Sequence, residues 1–241
     1  ANFLQTGYRA TDLKTIFFSH LHTDHCLDYA RLVHSRWDQG AGKIPDLKVF
    51  APAYMQRMTD LLFAENGVFH PDLDGRINSP GSQRVYLNRG GVLPRLRPAP
   101  KITALYDNME IETLNWKVIV REVLHQPSHI EPYAFRLETD EGVLVYSGDT
   151  GPCDSIIELA HGADMLINMC YFVSGTFTPK GKTLTSSGHK EAAYIANEAG
   201  VKTLVATHFT PQMDAPGIKE QCLAEMAKMF SGRIIWGEDM M

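Results

Sequence analysis

The chain has 241 residues, of which 44% are hydrophobic and 21% are charged, which predicts one folded domain, residues 1–241, with a sizeable core. The net charge of −5 argues against a protein built mainly to bind nucleic acid, and no apolar run approaches the ~18 residues of a membrane helix. The four cysteines lack CxxC spacing, which argues against a zinc ribbon and favours a reducing, cytoplasmic compartment.

Apolar runs and their periods predict a chain that begins with a helix and then mixes strands with helices. Helices are predicted over residues 1–10, 27–37, 52–66, 153–161, 188–199 and 216–230. Strands are predicted over residues 15–18, 47–50, 102–106, 109–114, 116–124, 133–138, 143–146, 165–169, 202–206 and 233–236. Strand-rich blocks that alternate with helices predict an α/β fold with two packed sheets and helices outside, a four-layer αββα sandwich.

Residues 68–100 interrupt this pattern, because they show neither helical nor strand periodicity. The stretch holds five prolines, a Gly-Gly pair and five arginines against two aspartates. A long stretch without regular structure in a compact domain is often functional, and we predict a lid or insertion loop here. A solvated surface excursion is an equal alternative.

The densest chemical signal is the segment 19–25, Ser-His-Leu-His-Thr-Asp-His, between a predicted strand and a predicted helix. Imidazole and carboxylate are ligands that zinc, iron and manganese accept. His20 and His22 alternate in an extended segment and can point the same way, whereas Asp24 and His25 begin a turn and can face a second centre. The alternative is a polar loop with incidental histidines, although four such groups gain nothing from burial without a cation.

The spacing His20-x-His22-x-Asp24-His25 resembles the signature of the metallo-β-lactamase superfamily, in which further ligands follow far downstream. Residues 125–136 resemble the segment that holds the third histidine of the family. His125, at a strand end, is the preferred ligand there, and His129 is the alternative.

Two later strand ends complete the resemblance. Asp149, in a Gly-Asp-Thr turn, resembles the family's bridging aspartate, and His208 resembles its last ligand. The resemblance implies two divalent metal ions, with Zn²⁺ expected and Mn²⁺ or Fe²⁺ as alternatives. It places His20, His22 and His125 on one ion and Asp24, His25 and His208 on the other, with Asp149 between them.

The stretches 148–153, 188–189 and 237–239 are most similar to the branch shared by ribonuclease Z and arylsulfatase-like hydrolases. His189 resembles a site histidine of that branch, and it either protonates a leaving group or caps the helix that follows it. Asp24 is expected to orient the nucleophile as well as to bind metal. The resemblance implies the metallo-β-lactamase αββα sandwich, here without the strands that normally precede the first helix.

The expected activity is hydrolysis of an ester, lactone or lactam small molecule by a hydroxide that bridges two metal ions. A phosphodiesterase or nuclease of the ribonuclease Z type is one alternative, and a non-catalytic metal-stabilised pseudoenzyme is another. If they overhang the metals, basic residues in 68–100 and 172–187 favour an anionic substrate, and the alternative is that these charges only keep the loops solvated. Tyr171, Phe172 and Phe177 are candidates for an apolar wall. The net charge and the absence of a long tRNA-gripping arm argue against nucleic acid. No membrane partner is expected, and a homodimer is left open.

Overall fold

The computed structural model describes residues 2–176 and 184–239. They fall into two compact units, one ending at Ala104 and the other running from Leu105 to Asp239. Each unit has its own β-sheet and its own cluster of buried apolar side chains. The α/β class is confirmed, and a single domain stays a prediction.

The first unit contains a parallel sheet in which β2 lies between β1 and β3. Its strands are β1 (Thr15–Phe17), β2 (Lys48–Ala51) and β3 (Lys101–Ala104). Its α-helices are α1 (Thr23–Cys26), α2 (Tyr29–Gly40), α3 (Met55–Phe63), α4 (His70–Asn78) and α5 (Pro80–Asn88). The predicted helix over residues 1–10 is instead a pair of short 3₁₀ turns, Asn2–Thr6 and Ala10–Asp12.

The core of this unit is organised by one face of α2. Tyr29 and Val33 are buried one turn apart on that face, and they belong to the same apolar cluster as Phe18 and Met55. The Tyr29 hydroxyl lies 2.9 Å from the Thr59 hydroxyl of α3. The helix that follows the histidine-rich segment is therefore fixed by packing.

The prediction of an irregular stretch over residues 68–100 is wrong for α4 and α5. Each helix has a proline in its first turn, Pro71 and Pro80, where the missing N–H costs nothing. Ser79 separates the helices, and its hydroxyl accepts a hydrogen bond from the backbone N–H of Ser82 at 3.4 Å. The prolines begin these helices rather than breaking them. A lid role for the segment stays a prediction.

Asp38 of α2 forms ion pairs with three arginines of residues 68–100. It lies 2.8 Å from guanidinium nitrogens of Arg89 and Arg95 and 3.4 Å from one of Arg76. Burial raises the pKa of the Asp38 carboxyl, but hydrogen bonds from Arg95 and Arg89 outweigh it and hold the pKa below its usual range. The buried Arg95 guanidinium also stacks 3.8 Å from the ring centre of Trp37.

The second unit contains a seven-stranded sheet in the order β10-β9-β8-β7-β6-β5-β4. Its strands are β4 (Glu110–Glu112), β5 (Lys117–Glu122), β6 (Tyr133–Thr139), β7 (Gly142–Tyr146), β8 (Met165–Met169), β9 (Thr203–Thr207) and β10 (Arg233–Trp236). Its α-helices are α6 (Asp154–Ala160), α7 (His189–Ala199) and α8 (Ile218–Met226). The predicted helix over 216–230 is thus shorter at both ends. Buried residues of α7 recur at helical spacing, at Ala192, Ile195, Ala196 and Ala199.

Strand direction decides where the polar side chains of this unit gather. Strands β7 to β10 are mutually parallel, and β5 runs the same way as β7 because each is antiparallel to β6. The carboxyl ends of β5, β7, β8 and β9 therefore share one edge of the sheet, which is where loops of α/β proteins carry their sites. Among the described residues, none of the helices has the length and apolar content needed to cross a bilayer.

We expect Arg95→Ala to lower the free energy of unfolding by about 2 kcal/mol, because it removes a hydrogen bond to Asp38 and the stacking on Trp37. Urea denaturation followed by circular dichroism measures the change. Arg84→Ala is the matched control, since Arg84 is an exposed arginine of the same segment, and it should shift stability by less than about 0.5 kcal/mol. Equal stability of the two variants would show that the Asp38 cluster does not hold the segment.

Candidate metal centre

The histidine-rich segment of the first unit has the two-part geometry that its spacing predicts. The chain bends at Ser19 after β1, and the backbone at His22 is extended, with φ −63° and ψ 149°. The helical turn α1 begins at the next residue, and the backbone N–H of His25 donates to the carbonyl of His22 at 3.0 Å. His20 and His22 therefore precede the helical turn, and Asp24 and His25 belong to it.

Within this segment the donor atoms lie close together. His20 Nε2 and His22 Nδ1 are 2.9 Å apart, and the ring centres of His20 and His25 are 4.1 Å apart. His25 Nε2 lies 3.4 Å from Asp24 Oδ2. His20 is fully buried, and its other nitrogen lies 3.1 Å from the Ser19 hydroxyl. Three imidazoles packed this closely would repel one another if all were protonated, so the group suits a bound cation.

The second unit holds its own group of three candidate ligands at the shared strand edge. His125 Nε2 and His208 Nε2 lie 3.9 Å and 3.5 Å from Asp149 Oδ2. Asp149 is 5% exposed and His125 is 4% exposed. A carboxylate buried this deeply needs nearby positive charge, and two imidazole nitrogens beside it form a donor set that divalent metals accept.

A hydrogen bond fixes which nitrogen of His125 is available. His125 Nδ1 lies 2.7 Å from the backbone carbonyl of Thr185. A carbonyl only accepts, so Nδ1 carries the proton and Nε2 keeps its lone pair on the side of Asp149. His129, the alternative ligand, is exposed, and its Nδ1 lies 3.1 Å from the Pro127 carbonyl of its own loop.

The backbone at two of these strand ends is unusual. Gly148, just before Asp149, has φ +57°, and His208 has φ +62° although it is not glycine. A left-handed backbone at a non-glycine residue costs free energy and is often kept at functional positions. It turns the chain directly after β9, which ends at Thr207.

His189 lies at the start of α7 and is fully buried. The Ser174 backbone N–H donates to its Nδ1 at 3.0 Å, so Nε2 carries the proton and donates to Glu225 Oε2 at 2.9 Å. The helix is capped by Glu191, whose carboxylate accepts the Gly188 N–H at 3.1 Å. The contacts of His189 are therefore those of a positioned, neutral imidazole, and its role as a proton donor stays a prediction.

Sequence reasoning missed Thr185 and Glu225, which fix His125 and His189. Thr185 acts through its backbone carbonyl, which no side-chain pattern shows, and Glu225 lies on a different helix from its partner. Of the three residues proposed as an apolar wall, Phe172 is buried and Tyr171 is partly exposed. Phe177, Lys180 and Lys182 lie outside the described residues.

His125→Ala should lower the amount of bound metal, because it removes a nitrogen whose orientation is already fixed. His129→Ala is the matched control and should leave the metal content unchanged. Elemental analysis after reconstitution and dialysis measures both. The reverse result, with loss only in His129→Ala, would move the ligand to His129.

Hydrogen bonds from Lys190, His189 and Gln221 lower the pKa of Glu225 from its ordinary value of 4.5 to about 2. Because the pKa is lower in the folded chain, this carboxylate adds stability above pH 4.5 and loses that contribution as the pH falls towards 2. The stability difference between the wild type and Glu225→Gln should therefore be largest near pH 7 and shrink below pH 4.5.

Urea midpoints at pH 7, 4 and 3 test this dependence. Glu220→Gln, an exposed position on the same helix, should show no comparable trend. A pH-independent difference for Glu225→Gln would mean that its charge does not stabilise the fold.

Known proteins of similar sequence and structure give this geometry a context. The chain is 29% identical over 255 residues to "Ribonuclease Z" of Mycobacterium bovis (strain BCG / Pasteur 1173P2), across 97% of this chain and 80% of that protein. The metallo-beta-lactamase fold protein YhfI from Bacillus subtilis matches 98% of this chain and 79% of its own, with a TM-score of 0.69 and 21% identity. Human tRNase Z, short form (ELAC1), matches 99% and 82%, with a TM-score of 0.63 and 17% identity.

These comparisons overturn two expectations. A small-molecule ester, lactone or lactam hydrolase is wrong as the main interpretation, because relatives of similar sequence are named "Ribonuclease Z". The expectation that nucleic acid is not a partner is wrong for the same reason. It relied on net charge, which averages over the whole surface, whereas nucleic-acid binding depends on the local field.

A sequence model of the beta-lactamase superfamily domain matches residues 2–209, which covers every candidate ligand in both units. The histidine and aspartate groups described above supply the donors that a divalent metal requires. The chain therefore belongs to the metallo-β-lactamase superfamily, in its ribonuclease Z branch, and is a metal-dependent hydrolase.

Proposed function

We propose that this chain is a metal-dependent phosphodiesterase that cleaves RNA, and that tRNA-containing transcripts are the first substrates to test. The names of its relatives support the substrate class. The observation that carries the chemistry is the buried Asp149 with His125 and His208 nitrogens within 4 Å. Such a donor set suits bound divalent cations, which can offset the charge of a phosphodiester during its hydrolysis.

For the metal centre we propose two divalent ions, with zinc as the native metal, as the superfamily resemblance implies. Zinc accepts imidazole and carboxylate together. The proposed ligands of one ion are His20, His22 and His125, those of the other are Asp24, His25 and His208, and Asp149 is shared. Bound there, the ions supply an activated water at neutral pH and stabilise charge on phosphate oxygens.

The protein's own groups orient this chemistry. Thr185 holds His125 in one tautomer, and the Ser19 hydroxyl contacts His20 on the nitrogen away from His22. The side chain of Asp24 is 60% exposed, so we propose that it also accepts a hydrogen bond from the attacking water and orients it. His189 and Glu225 fix the start of α7 beside Ser174.

We also propose a cytoplasmic location. The support is that Cys26, Cys153, Cys170 and Cys222 are all free thiols, as expected in a reducing compartment.

The experiment that tests this function compares phosphodiesters with the substrates first expected. The zinc-loaded protein should hydrolyse bis-p-nitrophenyl phosphate and cleave a tRNA-containing transcript, and it should turn over lactones and β-lactams far more slowly. His22→Ala and Asp149→Ala should each reduce phosphodiester cleavage by at least about 100-fold, because even the loss of an outer partner of a metal ligand costs roughly 10–100-fold.

His129→Ala should cleave phosphodiesters as fast as the wild type. A chelator should abolish cleavage by the wild type, and added metal should restore it. Circular dichroism must show that the inactive variants remain folded. Full turnover by either variant, or efficient lactone hydrolysis without phosphodiester cleavage, would refute the proposal.

A further inference from the structure

The chain that continues β8 presents one aromatic ring outward between two buried residues. Cys170 is fully buried and Phe172 is 3% exposed, whereas Tyr171 between them is 37% exposed. These residues follow the end of β8 at Met169, and Phe172 lies in a bend. Tyr171 is therefore held on the outer side by the burial of its neighbours.

Backbone contacts on both sides fix this position. The N–H of Cys170 donates to the Thr207 carbonyl at 2.6 Å, and the N–H of Tyr171 donates to the Ser187 carbonyl at 2.8 Å. Phe172 is packed so closely against Gly188 that a Cβ at that glycine would lie 2.7 Å from its ring. Tyr171 thus sits on a rigid frame, although it is exposed.

The ring of Tyr171 lies against the imidazole of His208. Their ring centres are 5.5 Å apart and their planes are inclined by 55°. His208 Nε2 in turn lies 3.5 Å from Asp149 Oδ2. A partly exposed aromatic ring therefore borders the candidate ligand group of the second unit, and only His208 separates it from the Asp149 carboxylate.

We propose that Tyr171 stacks on a nucleobase next to the scissile phosphate of an RNA substrate, an inference that rests on the proposed phosphodiesterase function. Unpaired bases stack on tyrosine rings whatever their sequence, because every base has a π-face. The stacked base holds the adjoining phosphate at the ligand group. Tyr171 is accordingly a substrate-positioning residue that confers little base specificity.

The kinetic test uses oligoribonucleotides that are identical except for an abasic residue on either side of the cleaved bond. Tyr171→Ala should raise KM for the intact RNA by about 5- to 150-fold, which corresponds to the roughly 1–3 kcal/mol of one base–aromatic stack, and should leave kcat within about twofold. Tyr171→Phe should behave as the wild type. On one of the two abasic substrates, the difference between wild type and Tyr171→Ala should disappear.

A second readout does not depend on turnover. RNA carrying 2-aminopurine beside the cleaved bond should lose fluorescence on binding to Asp149→Ala protein, because stacking quenches that base. The quenching should be lost when Tyr171→Ala is added to Asp149→Ala. Tyr194→Ala is the matched control, since Tyr194 is an exposed tyrosine, at 44%, on α7 of the same unit.

The outcomes separate the two proposals. Unchanged KM and unchanged quenching in Tyr171→Ala, with RNA still cleaved, overturn the stacking role alone. Absence of RNA cleavage and RNA binding by the wild type overturns the proposed function and this inference with it. If Tyr171→Ala unfolds, Tyr171→Leu keeps the bulk without the π-face and should show the same loss. Wild-type behaviour of the leucine variant overturns the proposal.

Discussion

A carboxylate that is almost sealed from solvent sets the electrostatic requirement of the second unit. A carboxylate buried this deeply needs positive or polarised groups beside it, and His125 and His208 approach one Asp149 oxygen within 4 Å. The backbone conformations at Gly148 and His208 help to bring the two histidines close to Asp149. The glycine before Asp149 and the left-handed backbone of His208 turn two parallel strand ends towards the same place.

The parts of this arrangement that sequence predicts are those with local causes. The turn that begins at Asp24 is predictable from a seven-residue segment, and the structure has a helical turn over Thr23–Cys26, with His20 and His22 nitrogens 2.9 Å apart before it. The proposal of His125, Asp149 and His208 as ligands depends on the resemblance of their segments, each at the end of an apolar strand, to those of the metallo-β-lactamase superfamily. The wrong predictions concern residues whose structure depends on distant contacts or whose local signal fits two structures. Pro71 and Pro80 were read as loop residues, although proline also begins helices.

Contacts between residues that are far apart in the sequence are the other feature that sequence analysis did not predict. The pairing of His189 with Glu225 joins two helices, and the bond from His125 to the Thr185 carbonyl involves no distinctive side chain. Charge was misjudged for a related reason. Three of the five arginines in residues 68–100 contact Asp38, so counting cations in the sequence overstated what that segment offers to an anionic substrate.

The hydrogen bond from the Tyr171 N–H to the Ser187 carbonyl joins two points that lie far apart in the sequence. The entropic cost of joining two such points grows only with the logarithm of the number of residues between them. A change in that number would therefore cost little conformational entropy as long as this backbone contact is kept. Position 171 and the start of α7 at His189 then offer two fixed ends between which a segment of different length could be engineered.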